Sequence, residues 1–317
     1  MLTALLIVLS LAMLTAGAEL LVRSSAGLAR RIGVSPFVIG AIIVGFGTST
    51  PELSASTVAA LRGAGDIAVG NVVGSNIFNV AMVLGVAALI RPVSTDPKAI
   101  RFDLAVAAAV SFIPWLSLLT GGELPRWMGV LMLVGLAAFV VRSFRHGAVD
   151  DAETEMGTAM AGEVARGKSL ALGIVGSVAG LALLVLGAKL LVDAAVGIAR
   201  DAGLSELVIG LTIVAIGTSL PELVTGVVAA LKGHAELALG NVLGSNVFNL
   251  LGILGVATII TPQQIASQTL WLDAPLMLGL VLALAVIAYT GKRISRVEGV
   301  VLTALWVGYV VTLLLIA

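Results

Sequence analysis

The sequence predicts an all-α, polytopic membrane protein with ten transmembrane helices in two inverted five-helix repeats. Three observations lead there: an apolar composition, a self-match at one constant offset, and an odd number of apolar spans in each copy.

Of the 317 residues, 59% are hydrophobic and 11% charged, whereas soluble domains carry roughly 25% charged residues. A core of that size would need a polar coat that this chain cannot supply. Apolar runs recur at Leu2 to Ala18, Leu104 to Leu119, Val130 to Val141 with its flanks, and Leu276 to Tyr289. About 20 such residues cross the hydrocarbon layer as a helix, and continuous rather than alternating runs argue against a barrel. With no cysteine, disulfide and thiolate chemistry are excluded. A formal net charge of +0 gives no support to a nucleic-acid partner. The first residues lack a positive leader and have a counterpart later in the chain, so they read as a span and not as a signal peptide.

The self-match has an offset of 170, the difference between Glu222 and Glu52. GAELLVRSSAGLARRIGVSPFVIG from Gly17 matches GAKLLVDAAVGIARDAGLSELVIG from Gly187. GTSTPELSASTVAALRG from Gly47 matches GTSLPELVTGVVAALKG from Gly217, and GNVVGSNIFN from Gly70 matches GNVLGSNVFN from Gly240. Later the match thins but keeps register, pairing Asp103 with Asp273 and Arg126 with Arg296. One offset held over such a length marks an internal repeat.

Each copy holds five apolar spans, expected near 2–22, 36–61, 66–90, 102–120 and 126–142, then near 171–192, 206–231, 236–260, 270–290 and 297–316. The repeats occupy 1–147 and 169–317. Between them, 148–168 is a polar linker carrying Asp150, Asp151, Glu153, Glu155 and Glu163. An odd span count sends the chain into the second copy from the opposite side, so the copies are inverted. With the N-terminus outside, all of the 18 Lys and Arg except Arg62, Arg126, Lys189 and Arg200 fall on the inner side. That asymmetry satisfies the positive-inside rule. The expected location is the cell (plasma) membrane, with both termini extracellular and the linker cytoplasmic. The lipid bilayer is the expected partner, and no obligate protein partner is evident.

A carboxylate at the bilayer centre costs about 2.5–3.5 kcal/mol on insertion scales, so it marks function by default. Glu52 and Glu222 lie inside the second and seventh spans and read as the only acids so placed in both copies. Glu19 and Lys189 lie near span ends, where they can pair locally with Arg23 and Asp193. Around each glutamate the helix is built to break. Pro51 and Pro221 have no N–H for the carbonyls of Gly47 and Gly217, and freed carbonyls must line a cavity or meet a cation. Thr48 and Ser49 add hydroxyls beside Glu52, and Thr218 and Ser219 do the same beside Glu222. In the next span Asn71, Ser75 and Asn79 are spaced by four and form a polar stripe, copied by Asn241, Ser245 and Asn249. Gly70, Gly74, Gly240 and Gly244 allow close helix approach.

This donor set is all oxygen, without thiol or imidazole, so soft metals suit it poorly. Ca²⁺ takes 6–8 oxygens in a flexible shell, and two bidentate glutamates with two carbonyls reach about six. Two negative charges balance one Ca²⁺ or two Na⁺. No cofactor is expected.

G-T-S-x-P-E followed by G-N-x-x-G-S-N-x-x-N, present twice, resembles the cation/calcium exchanger superfamily, most of all its prokaryotic sodium/calcium exchanger branch. The resemblance covers the whole chain. It implies an antiporter exchanging several Na⁺ for one Ca²⁺, with the first and sixth spans sliding to alternate access. It implies Ca²⁺ on Glu52, Glu222, Thr48 and Thr218. Na⁺ would be held by Ser49, Ser219, Ser75, Ser245, Gly45, Ala215, Asn79 and Asn249 together with the two glutamates. Several relatives carry an aspartate where this chain has Asn249, which removes a possible third charge and argues against potassium dependence. The alternative is a proton-coupled calcium exchanger of the same fold, whose extra acid in the third and eighth spans is absent here. Against a membrane enzyme, the chain has no H-E-x-x-H, no G-x-S-x-G and no paired intramembrane aspartates. A doubled, non-ring site fits alternating access better than a passive pore.

Overall fold

The computed structural model describes residues 2–146, 170–201 and 215–316. The expected linker at 148–168 and the start of the seventh span at 206–214 lie outside them.

The protein is mostly helical. Helix α1 (Leu2–Ile32) runs ten residues past its expected end. Past the apolar run, Glu19 and Arg23 pair at 2.5 Å one turn apart, and the helix stops at Gly33, whose φ of +70° suits glycine. Helix α2 (Pro36–Thr48) starts at the Ser35 cap, whose hydroxyl accepts the Val38 N–H at 3.3 Å. It meets α3 (Thr50–Leu61) at a 45° bend. Next come α4 (Gly65–Ile90), α5 (Ala99–Thr120) and α6 (Arg126–His146). The second half contains α7 (Leu170–Asp201), the short α8 (Ala215–Thr218), α9 (Leu220–Leu231), α10 (Ala235–Ile260), α11 (Thr269–Gly291) and α12 (Arg296–Ile316). Among the described residues eight helices are long and apolar enough to cross a membrane, or nine with the bent α2–α3 pair as one span.

The offset seen in the sequence recurs in the backbone. The helix breaks fall at Ser49 and Ser219. π-Helical turns begin at Asn79 and Asn249. Four two-residue strands also follow it: β1 (Val93–Ser94), β2 (Glu123–Leu124), β3 (Gln263–Gln264) and β4 (Arg293–Ile294). Strand β1 pairs antiparallel with β4, and β2 with β3. Arg126 donates to the Ile260 carbonyl at 3.1 Å and Arg296 to that of Ile90 at 3.4 Å. In each pair of contacts the two halves trade places.

Helices α4 and α10 are buried along most of their length and form the centre. Helix α10 packs on α2 through Gly244, where a Cβ would run into the Ala41 carbonyl. The repeat-related neighbours of Gly70 and Gly74, near 207 and 211, lie outside the described residues. Helices α1 and α7 lie along each other. A Cβ on Gly180 would sit 2.6 Å from the Leu21 nitrogen and one on Gly17 would sit 2.8 Å from the Gly180 carbonyl. Small residues thus let two membrane helices touch by backbone.

Candidate cation site

The two broken helices bring their glutamates into one buried cluster, each 1% exposed. The contacts are crossed. Ser49, from the first break, donates to Glu222 Oε1 at 2.9 Å, and Ser219, from the second, donates to Glu52 Oε1 at 2.8 Å. The Ser219 and Ser75 hydroxyls are 3.2 Å apart. A hydroxyl has one proton, so Ser219, which donates to Glu52, accepts from Ser75. Thr218 lies beside Glu52, and Thr48 beside Glu222.

A second group joins α2 to α10. The Thr48 hydroxyl faces the Asn241 side-chain oxygen at 3.2 Å and the Gly45 carbonyl at 3.3 Å. Ser245 donates to that same carbonyl at 3.1 Å. The expected polar stripe is divided between partners: Asn71 bonds Ser56 at 2.9 Å and the Glu52 carbonyl at 3.3 Å, inside its own repeat. Ala215 opens α8.

Among the described residues, Glu52 Oε2, Glu222 Oε2, Asn79 Oδ1 and Asn249 Oδ1 are buried and have no hydrogen-bond partner. All four are acceptors. Buried polar atoms are nearly always satisfied, and two carboxylates in an apolar surround need opposite charge. No three acidic, histidine or cysteine side chains come together among the described residues. The donor set is therefore two carboxylates completed by hydroxyl, amide and backbone oxygens, which suits a hard cation.

One expectation needs revision. The Gly47 carbonyl freed by Pro51 accepts the Thr50 hydroxyl at 2.6 Å, so the chain caps it locally. Asp103 and Asp273, 6% and 5% exposed, are a second pair of buried acids at the same offset of 170. These two sit near span starts: Asp273 accepts from Tyr309 at 3.1 Å, and Asp103 feels the Arg142 charge. His234 is half-buried at the turn before α10. Burial and the nearby Arg30 charge hold its imidazole below the usual range.

The residue reading also left Asn76 and Asn246 without a role. They fall one position off the four-spaced stripe, yet they cross-link the repeats. Asn76 Nδ2 donates to the Asn246 carbonyl at 3.2 Å and Asn246 Nδ2 to the Asn76 carbonyl at 3.3 Å. An amide kept at the same point of both copies, inside apolar spans, was the available signal.

A sequence profile described as "Sodium/calcium exchanger protein" matches residues 2–145 and 172–315. The chain is 40% identical over 306 residues to the putative antiporter CaxA of Alkalimonas amylolytica, covering 96% of each. It is 34% identical to the sodium/calcium exchanger MaX1 of Methanosarcina acetivorans over 98% of this chain and 97% of that one. Among solved structures, it is similar to the sodium-calcium exchanger NCX_Mj soaked with zero Na⁺ and Ca²⁺. The TM-score is 0.85 at 29% identity, covering 98% of this chain and 99% of that one.

Proposed function

The chain belongs to the sodium/calcium exchanger family of membrane proteins, and from that premise we propose that it is a secondary active antiporter exchanging Na⁺ for Ca²⁺ by alternating access. One observation carries the reading: two buried glutamates, each held at one oxygen by the other repeat's serine, each with its second oxygen unpartnered. In this reading Glu52 and Glu222 bind Ca²⁺ with the backbone of Thr48 and Thr218. The same carboxylates with Ser49, Ser219, Ser75, Ser245, Asn79, Asn249, Gly45 and Ala215 take Na⁺. Shared ligands make exchange obligatory, because both ions compete for two charges and an emptied pair leaves both carboxylates uncompensated in a low-dielectric site.

The topology of this proposal is ten spans in two inverted five-helix repeats, in the cell membrane, with both termini outside. Two strand pairings support it. In that scheme β1 and β4 share the inner side and β2 and β3 the outer, and these are the strands that meet. Helix α1 packs against α9, whose residues Val228 and Ala229 are buried with Leu14, Ala18 and Val22. The matching flank of α3 is open: Val58 is 45% exposed where Val228 is 8%. Alternating access is the exchange of that cover from one broken helix to the other.

The test is calcium uptake into proteoliposomes loaded with Na⁺, with K⁺, or carrying only a proton gradient. Uptake that requires internal Na⁺ is expected. Uptake driven by protons without Na⁺ replaces the reading with proton-coupled exchange, and uptake without any counter-ion replaces it with a passive pore.

A further inference from the structure

At the centre of the molecule four asparagines, two from α4 and two from α10, are each at most 2% exposed. An amide can be placed either way round, and its hydrogen-bond partners decide which. Here the backbone decides. Asn76 faces the Asn246 carbonyl, and Asn246 faces that of Asn76, at 3.2 and 3.3 Å. A carbonyl only accepts, so each of these amides must turn its NH₂ to the backbone. Their oxygens are then committed. Asn76 Oδ1 accepts from Asn249 Nδ2 at 3.0 Å, and Asn246 Oδ1 accepts from Asn79 Nδ2 at 3.1 Å. With the NH₂ of Asn249 and Asn79 occupied, the opposite end of each amide is an oxygen, and both oxygens are among the buried polar atoms without a hydrogen-bond partner. Both lie one helical turn beyond Ser75 and Ser245. The π-helical turns begin at these same residues.

We propose that Asn76 and Asn246 are positioning residues that hold the amide oxygens of Asn249 and Asn79, each on the opposite repeat, toward the bound cation. The proposal rests on the cation-site reading above. It assigns each clamp residue a single client across the repeat interface: Asn76 serves Asn249, and Asn246 serves Asn79. Without the clamp, Asn249 or Asn79 can turn its NH₂ to the ion and present partial positive charge to a cation. The clamp residues' own amide oxygens already accept from their clients.

The pairing is tested by mutant cycles on purified protein, with Na⁺ and Ca²⁺ binding read by titration calorimetry apart from transport. Asn76→Ala and Asn249→Ala should each weaken Na⁺ binding about tenfold, the scale of one hydrogen bond to a charged centre. Their combination should be no weaker than Asn249→Ala alone, because the clamp acts only through its client. Asn246→Ala with Asn79→Ala should behave alike. The mismatched combination of Asn76→Ala with Asn79→Ala should multiply the losses. Where an alanine variant does not purify as a folded protein, Asn76→Ser or Asn246→Ser replaces it, since one hydroxyl oxygen on a side chain one bond shorter cannot occupy the positions of both the amide nitrogen and the amide oxygen. Losses that multiply in the matched pairs, or that fail to multiply in the mismatched one, overturn the clamp while leaving the cation site intact. A wild-type protein that binds neither ion overturns the site reading and the clamp with it.

Discussion

Helices α3 and α9 begin with nearly the same residues and end in different surroundings. Each follows a break at a serine, starts with Pro and Glu, and buries that Glu to 1%. One turn further on they diverge. Helix α9 lies under α1 and buries Thr225 and Val228, while the matching Ala55 and Val58 of α3 are exposed. Even the break is finished differently: Thr50 caps the Gly47 carbonyl, and its counterpart Leu220 has no hydroxyl. Ser56 holds Asn71, whereas its counterpart is Gly226. The glutamates are thus equivalent in chemistry and unequal in cover. The sequence repeat pairs the two glutamates, and where the α1–α7 pair sits covers the flank of α9 while that of α3 stays open.

Neutralising each glutamate in turn asks whether the two are equivalent in function as well as in chemistry. Glu52→Gln and Glu222→Gln should each lower Na⁺-dependent Ca²⁺ uptake by about a hundredfold or more, the effect of about 3 kcal/mol for breaking a buried charge set. Uptake that survives in one variant alone would show that the equivalence is only geometric. The cover is sharpened by cysteine labelling, since the chain has no cysteine of its own. A water-soluble maleimide should modify Val58→Cys at least about tenfold faster than Val228→Cys, because the buried site must first open. Equal rates would mean that α1 does not close over α9.

Smaller effects probe the scaffold. Gly244→Ala places a methyl against the Ala41 carbonyl and should cost about 1–3 kcal/mol, read as a lower thermal midpoint. Thr50→Val makes the first break resemble the second and should cost about 1 kcal/mol by uncapping Gly47; Leu220→Thr is the reverse exchange. Smallest of all, Glu19→Gln removes the 2.8 Å bridge that ties α1 to Lys232 at the end of α9. Because both side chains are exposed to this extent, 38% and 39%, the expected loss of stability is the smallest of the set and should shrink further in high salt.

Much of this protein is legible in its one-dimensional pattern. Hydropathy marks the spans, because a bilayer imposes a length and an apolar surface on any helix that crosses it. The offset of 170 pairs Glu52 with Glu222. Proline and glycine locate the breaks by local stereochemistry, with no need for a fold. Spacing could not show the direction of each contact. That Ser49 serves Glu222 and not Glu52, that Thr50 takes up the carbonyl freed by Pro51, and that Asn76 and Asn246 clamp one another are through-space choices. They arise where two helices cross, and a repeat pattern lists the same residues whichever way they cross. The unequal cover of α3 and α9 lies further still from the sequence. The copies are alike in pattern, and only the position of the α1–α7 pair in the packed molecule makes one flank buried and the other open.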